Sequence, residues 1–289
     1  MVSNFFPNTE AASLRKTACS VLSDSASECN RNKGFPQALT PPTPDSSGFF
    51  VPTLNQTGYM TTHLDIYSQA FIDYAAKVSD TVLEIGAAYG VATLKALEKG
   101  ATIIANDLSQ EHLLCLQQSA IDKKLDTSKL FLMLGDIRED HSLSKNSLGA
   151  ILMCRVIHFF TGSEIESFLI KAYGWLKPGG KLFIIAETPY LGLLKDFIPE
   201  YEKNLKLNLK WPGYVARVKD YIQDPNLPEM IHSMDVPILK RMLVEQGFII
   251  EKIGYIDRSD FPPDRRWDGR ESVGVIAYKP MISSDSRCP

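Results

Sequence analysis

The sequence predicts an α/β fold in which a mainly parallel β-sheet is covered by helices on both faces. From about residue 58, short apolar runs alternate with segments of helical periodicity, a pattern typical of parallel strands joined by helices. The runs 150–153 and 182–185 are almost continuously apolar, as expected for strands buried on both sides. A glycine-containing turn separates the run at 81–85 from a helical segment, which is the order of a β–α unit.

Each element is placed by the spacing of its apolar residues and by its end signals. Leu64, Tyr67, Phe71 and Tyr74 recur at helical spacing and predict an amphipathic helix. The predicted strands are 81–85, 102–105, 130–134, 150–156, 181–186, 248–255 and 273–278. The other predicted helices are 91–98, 111–121, 163–176 and 236–246, and Gly247 ends the last of them.

The composition divides the chain into a tail, one domain and an insertion. Ser, Thr, Pro, Asn and Gly fill 27 of residues 1–57, so this segment buries too little apolar area to offset its ordering entropy and is predicted to be mostly disordered. Phe49–Val51 is its apolar spot near the domain. The domain is predicted to span 58–281, with a helical cap inserted at 189–233 and a short C-terminal tail at 282–289.

Charge and cysteine content exclude several classes of protein. Lys and Arg number 31 against 34 Asp and Glu, a net charge of −3, which argues against a nucleic-acid groove. The loop 257–271 interleaves arginines with acids and is predicted to be solvated. Five scattered cysteines form neither a disulfide framework nor a metal site. No membrane span or signal peptide is predicted, so a cytoplasmic location is expected.

The strongest local motif is Glu84-Ile85-Gly86-Ala87-Ala88-Tyr89-Gly90, between a strand and a helix. Gly86 and Gly90 lack a Cβ atom, so the backbone can approach a ligand closely. The helix that follows presents free amides. The alternative is a tight turn that only packs the helix on the strand.

Two aspartates follow the next strands. Asp107 ends the second strand, where an acidic side chain can bind both hydroxyls of a ribose; it is equally suited to cap the following helix. Asp136 follows the third strand and can bind the amino group of an adenine, with Ile137 against the ring. A Gly135-Asp136 surface turn is the alternative.

Together these residues resemble the class I S-adenosylmethionine-dependent methyltransferases. The family pattern of an acid followed by small residues is present as Glu84, Gly86, Ala88 and Gly90, and the family's Leu-Lys-Pro-Gly-Gly turn is present at 176–180. The resemblance covers 78–188 well and 58–280 in outline. It implies a Rossmann-like seven-stranded sheet that a last antiparallel strand closes. The sequence departs from the family pattern at Ala88, at the bulky Tyr89 and at Gly149, where the family often has Asp.

The resemblance also implies roles for individual residues toward S-adenosylmethionine. Glu84 would support the turn and the amino group, and Asp107 would bind the ribose. Cys154 and Arg155, which end the fourth strand, would face the sulfonium. The implied cofactor-binding residues are Glu84, Gly86, Ala87, Gly90, Asp107, Leu108, Asp136, Ile137, Cys154 and Arg155.

Methyl transfer needs an aligned nucleophile and, for some acceptors, a base. His158 is the leading base candidate, because it follows the fourth strand at the carboxyl edge of the sheet, where ligands bind in open α/β folds. The alternative is a histidine packed beside Phe159 and Phe160. Glu187 and His232 are weaker candidates.

The cap at 189–233 contains six aromatic residues that either line a substrate pocket or pack the cap onto the sheet. The leading hypothesis is therefore methyl transfer to an O, N or C atom of a small or lipophilic metabolite. A protein methyltransferase that uses the N-terminal tail for recognition is a second hypothesis. A non-catalytic protein that uses the cap to bind a partner is a third.

Overall fold

The computed structural model describes residues 40–281 except 46, 140, 142, 225 and 226. The first 39 residues of the predicted N-terminal tail and the predicted C-terminal tail at 282–289 lie outside this part of the chain. Among the described residues, no helix is long and apolar enough to cross a membrane.

The secondary structure follows the predicted order, with an additional N-terminal hairpin. The strands are β1 (Phe50–Pro52), β2 (Tyr59–Thr61), β3 (Thr81–Ile85), β4 (Ile103–Asp107), β5 (Leu130–Leu134), β6 (Leu148–Cys154), β7 (Leu176–Glu187), β8 (Tyr214–Val215), β9 (Ile231–His232), β10 (Ile249–Ile256) and β11 (Ser272–Tyr278). The helices are α1 (Ile66–Ala75), α2 (Val91–Glu98), α3 (Gln110–Asp122), α4 (Gly162–Trp175), α5 (Ile198–Lys206) and α6 (Val236–Glu245).

Seven of these strands form one sheet in the order β10-β11-β7-β6-β3-β4-β5. The pairs β3–β4, β4–β5, β3–β6 and β6–β7 are parallel, whereas β11 is antiparallel to both of its neighbours. The predicted mostly parallel sheet with one closing antiparallel strand is therefore confirmed. The carboxyl ends of β3, β4, β6 and β7 meet at one edge.

Helices cover both faces of this sheet because alternate strand residues point to opposite sides. Leu83 and Ile184 pack in one core cluster with residues of α4 and α6. Val82 and Ile185 pack in the other, with residues of α1 and α2.

The strand β7 begins five residues earlier than predicted. Leu176 pairs with Leu148 of β6, and the amide of Gly179 donates to the carbonyl of Lys279 beyond β11 at 2.8 Å. The Leu-Lys-Pro-Gly-Gly turn is thus tied to both neighbours instead of being a free connection. The structure also accounts for glycine at position 149, where the family often has Asp. A Cβ at this position would lie 2.8 Å from the Cβ of Asp80.

A hairpin lies across the predicted domain boundary at residue 58. β1 pairs antiparallel with β2 across that boundary, and Phe49, Phe50 and Val51 are buried. Phe49 and Phe50 pack in one cluster with residues of the cap, and Val51 packs with Tyr89 and Cys115, so the apolar spot near the domain docks on it.

The cap at 189–233 contains the helix α5, two short 3₁₀ turns and the β8–β9 hairpin. Its aromatic residues Tyr190, Phe197 and Tyr201 are buried in a cluster that includes Phe49, Phe50 and Phe261. Of the two predicted alternatives, these aromatics therefore pack the cap onto the domain.

We predict opposite stability effects for alanine at two glycines. Gly90 has φ +80°, and an added Cβ would lie 2.6 Å from Leu116, so Gly90→Ala should lower the free energy of unfolding by about 1–3 kcal/mol. Gly174 lies inside α4 with nothing within 4 Å of an added Cβ, so Gly174→Ala should raise it by about 0.5–1 kcal/mol. Urea unfolding of both variants measures the difference, and equal effects would contradict the left-handed turn at Gly90.

Candidate functional site

A cavity of about 430 Å³ lies at the carboxyl edge of the sheet. Its floor comprises the ends of β3, β4, β6 and β7 with the turns that follow them. One wall is the N-terminal hairpin from Thr53 to Thr61, and another is the cap. The cavity is lined at one end by Gly86, Asp107 and Asp136, and at the other by Arg155, His158 and Glu187.

The glycine turn is shaped so that only small residues fit its bends. Gly86 has φ +68°, and a Cβ there would overlap the side chain of Val156. Ala88 also has positive φ, at 44°, and thus adopts the left-handed conformation that glycine usually occupies. Gly90 precedes the first residue of α2.

The carboxylate of Asp107 is buried and accepts three hydrogen bonds. The amide of Ala88 donates to Oδ2 at 2.8 Å, and the amide of Ser109 donates to Oδ1 at 2.9 Å. The His112 Nδ1 atom lies 2.9 Å from Oδ1. Ser109, rather than Asp107, caps α3. Asp107 therefore joins the glycine turn to the start of α3 and also lines the cavity.

The N-terminal hairpin is fastened to this end of the cavity through one backbone amide. The amide of Leu54 donates to Nε2 of His112 and to the hydroxyl of Tyr89, both at 3.0 Å. The Tyr89 hydroxyl in turn donates to the carbonyl of Pro52 at 2.8 Å. Because Nε2 accepts from Leu54, Nδ1 of His112 is the ring nitrogen that donates to Asp107. The bulk of Tyr89 in the glycine turn is explained by this attachment.

The hairpin also reaches the cap on the far side of the cavity. The hydroxyl of Tyr59 lies 3.1 Å from Oδ2 of Asp224. The hairpin thus bridges the glycine turn and the cap, and closes the cavity between them.

Glu84 lies beneath the glycine turn, and burial raises the pKa of its carboxyl to about 7. The hydroxyl of Thr93 in α2 donates to Oε2, which lowers the pKa in part, and the charge of Asp107 raises it. Glu84 lines the cavity, so a cation bound there would favour its ionised form.

The third strand supplies Asp136 and Ile137 to the same end of the cavity. The guanidinium of Arg138 bonds both carboxylate oxygens of Asp136, which holds the pKa of Asp136 below its ordinary value. Leu108, by contrast, is 56% exposed at the cavity. An apolar side chain in that position is available to cover a flat ring.

The end of β6 places Cys154 and Arg155 in the cavity. Burial raises the pKa of the Cys154 thiol to about 12, so this thiol is neutral and does not act as a nucleophile near neutral pH. Arg155 has φ +60°, and its Nη2 forms an ion pair with Oε1 of Glu187 at the end of β7. Oε2 of Glu187 accepts from the hydroxyl of Ser272 at 3.3 Å.

His158 lies in the 3₁₀ turn after β6, where it lines the cavity and is 7% exposed. Burial lowers its pKa to about 4, while the charge of Glu187 raises it and that of Arg155 lowers it. Its ring meets the ring of Phe159 edge-on, with the centroids 4.2 Å apart. His158 is therefore both packed beside Phe159 and part of the cavity lining. His232 is fully buried between Trp211 and Tyr214, outside the cavity lining.

Much of the loop 257–271 is exposed, as predicted, but Arg258, Phe261 and Glu271 are buried, and Arg258 and Arg265 lie over the rings of Phe49 and Phe50. The carboxylate of Glu271 accepts hydrogen bonds from the amides of Arg258, Trp267 and Gly269. Arg258 is 2% exposed and lies over the ring of Phe261 at 4.0 Å. The alternating charges predicted a solvated loop, but the carboxylate of Glu271 accepts hydrogen bonds from backbone amides of the same loop.

Among the described residues, no group of three or more His, Cys, Asp or Glu side chains is arranged to hold a metal ion. The site is built from a glycine turn, three acids that follow adjacent strands (Glu84, Asp107 and Asp136), and the ion pair of Arg155 with Glu187 on the β6–β7 side.

The methyltransferase domain family matches residues 83–184, which include the glycine turn, Asp107, Asp136 and Arg155. Residues 83–184 therefore form a methyltransferase domain. Methyl transfer is the chemistry that this match indicates, and S-adenosylmethionine is the cofactor that the sequence predicts for it. No curated protein matches the chain significantly.

Solved structures similar to this methyltransferase domain share its fold at low sequence identity. An S-adenosylmethionine-dependent methyltransferase of Methanosarcina mazei is 18% identical, with a TM-score of 0.57 over 76% of this chain and 100% of that chain. One from Mesorhizobium loti is 16% identical, with a TM-score of 0.51 over 73% and 95%. The glycopeptide N-methyltransferase MtfA, solved with sinefungin, is 15% identical, with a TM-score of 0.50 over 74% and 86%.

The geometry of the methyltransferase domain fits its cofactor at the end that sequence reasoning indicated. All the predicted cofactor residues except Gly90 line the one cavity. Gly90 instead lies behind the turn, against Leu116. The buried acid Glu84 suits an ammonium group, and the exposed Leu108 suits an aromatic ring. The crowded Gly86 suits a close approach of the backbone to the ligand.

Sequence reasoning missed the hairpin wall, His112 and Arg265 of the methyltransferase domain. Tyr89 was the available signal for the hairpin, because a bulky residue in a glycine turn needs a partner. Arg265 belongs to the loop 257–271, whose arginines were assigned to solvent.

Removing the Glu84 charge should change the pH dependence of stability. The raised pKa means that the folded protein loses stability relative to Glu84→Gln as pH rises through about 4.5–7, by about 2–3 kcal/mol in total. Urea unfolding between pH 5 and 8 without added cofactor measures this, with the exposed Glu98→Gln as the control. Parallel pH curves for wild type and Glu84→Gln would contradict the buried, protonatable carboxyl.

Proposed function

We propose that the domain transfers a methyl group to an O, N or C atom of a small or lipophilic metabolite. The observation that carries this proposal is the aliphatic wall of the cap, which continues the cofactor cavity beyond the ends of β6 and β7. The cap residues that line it are Leu191, Leu193, Ile222, Leu227, Pro228, Ile231 and Ser233. A largely apolar concave surface with a few polar groups is typical of sites for small molecules.

The cofactor residues keep their predicted roles in this proposal. Gly86 and Ala87 lie against the methionine part, and Glu84 faces its amino group. Asp107 accepts from a ribose hydroxyl with the acceptor site that its three protein donors leave free. The adenine is contacted by Leu108, Asp136 and Ile137. The sulfonium is faced by Cys154 and Arg155.

S-adenosylmethionine supplies a methyl group on a positively charged sulfur. The chain's own task is to hold the acceptor in line with that group, an alignment worth up to about 7–11 kcal/mol. The hairpin and the cap enclose the cavity and thereby exclude water. His158 accepts a proton from acceptors that must lose one, since its buried imidazole is neutral near pH 7.

We also propose that the folded unit extends from the β1 region to residue 281 with the cap at 189–233 as part of it, and that the protein is cytoplasmic. Neither Cys115 nor Cys154 forms a disulfide within the described part of the chain, which supports a reducing compartment.

Titration with S-adenosylhomocysteine tests the cofactor site. Asp107→Asn should weaken binding by about 10- to 100-fold, because it replaces a charged acceptor of a ribose hydroxyl by a neutral amide. Asp122→Asn, on the exposed surface of α3, is the matched control and should leave affinity unchanged. Calorimetry measures both, and a wild-type protein that binds no S-adenosylhomocysteine at millimolar concentration would overturn the proposed function.

His158→Gln tests the base. The substitution should lower kcat by about 100-fold or more for an acceptor that must be deprotonated, without changing the affinity for S-adenosylhomocysteine. In the wild type, NMR titration of the ring nitrogens should show the imidazole of His158 still neutral at pH 5.5. A titration midpoint near 6.5 would contradict the buried position, and an unchanged kcat would exclude the base role.

A further inference from the structure

Arg155 has hydrogen-bonding capacity that the protein does not use. Its side chain is 15% exposed and its Nη2 pairs with Glu187. Its Nη1 is buried, yet no partner among the described residues lies within hydrogen-bond distance. A buried guanidinium nitrogen without a partner loses its hydration and gains nothing in return. Because Arg155 lines the cavity, a ligand there can supply the missing acceptor.

Arg265 is a second cation at the same end of the cavity. It is half-buried and lines the cavity. Its guanidinium lies over the rings of Phe50 at 4.4 Å and Tyr59 at 5.6 Å, and these contacts fix its position. In the part of the chain that the structure describes, Arg265 has no carboxylate within 4.0 Å, in contrast to Arg258, which pairs with Asp260 at 3.1 Å.

The two arginines influence each other. Burial lowers the pKa of Arg155, the charge of Glu187 raises it, and the charges of Arg258 and Arg265 lower it further. Arg258 pairs with Asp260 and Arg155 pairs with Glu187. Arg265 is therefore the one of these three arginines that has no ion-pair partner among the described residues.

We propose that Arg155 and Arg265 bind a carboxylate of the methyl acceptor, so that the substrate is a lipophilic carboxylic acid. This inference rests on the proposed function and names its substrate class. The planar guanidinium of Arg155 matches a carboxylate, and one uncompensated charge suits a monoanion better than a doubly charged phosphate. The aliphatic wall of the cap lies in the same cavity and accommodates the apolar part.

The carboxylate of the cofactor is the other source of the same chemistry, and the strand order argues against it. The loop that holds Arg265 joins β10 to β11, on the β7 side of the sheet. The glycine turn and Asp107 follow β3 and β4, which lie on the other side of β6. Arg265 thus lies on the far side of β6 from the glycine turn, which holds the methionine part of the cofactor in the proposed function, while Arg155 follows β6 itself.

The experiment uses the full chain with and without saturating S-adenosylhomocysteine. The probes are octanoate and 3-phenylpropionate, each compared with its primary amide, and NMR titration measures their dissociation constants. At least one acid should bind at least tenfold more tightly than its amide. Arg265→Gln should remove most of that preference, whereas Arg266→Gln, at the exposed neighbouring position, should retain it.

Two results would overturn the inference. Acids that bind no better than their amides would exclude a carboxylate site. An acid preference that survives in Arg265→Gln would assign the anion to other residues.

A separate comparison identifies a cofactor carboxylate. If Arg265→Gln weakens S-adenosylhomocysteine at least tenfold but leaves 5′-methylthioadenosine unchanged, the arginines bind the amino-acid part of the cofactor and the substrate assignment is wrong. Equal affinities in variant and wild type for both nucleosides support the assignment. The titrations without S-adenosylhomocysteine measure the preference for acids over amides independently of the cofactor. They therefore test the carboxylate site even if the cofactor fails to bind.

Discussion

The buried carboxylate of Asp107 is the interaction on which the cavity depends. A buried negative charge is tolerated only when hydrogen bonds replace its lost hydration, and this one receives them from Ala88, Ser109 and His112. Ala88 belongs to the glycine turn, Ser109 is the N-cap residue of α3, and His112 lies in α3 itself. Through His112, the same carboxylate also orients the acceptor that holds the hairpin at Leu54.

The two ends of the cavity differ in how far their buried charges are satisfied. At the β4 end, Asp107 is bonded through both oxygens, so its carboxylate acts as part of the framework. At the β6 end, Arg155 is paired with Glu187 through one nitrogen while the other lacks a partner. Asp107 therefore holds the framework together and keeps one acceptor site for a ligand, whereas Arg155 leaves a whole buried nitrogen to its ligand.

The sheet and its cofactor end could be predicted from sequence because their signals are local. The alternation of apolar runs and helices, the small residues at Gly86 and Gly90, and the acid at Asp107 each lie within one β–α unit. The hairpin could not, since its order comes from contacts such as Leu54 with Tyr89, 35 residues apart. Arg258 and Arg265 likewise face aromatic rings of remote segments, so the local charge pattern gave the wrong environment.

The bridge from Tyr59 to Asp224 has a consequence for folding kinetics. It joins residues 165 positions apart, and contacts of such separation form only after much chain entropy has been lost. The β–α units can assemble from near neighbours, so the parallel sheet is expected to form first and the cavity to be enclosed last. A ligand-binding signal would then recover more slowly during refolding than the helical signal of the sheet and its helices.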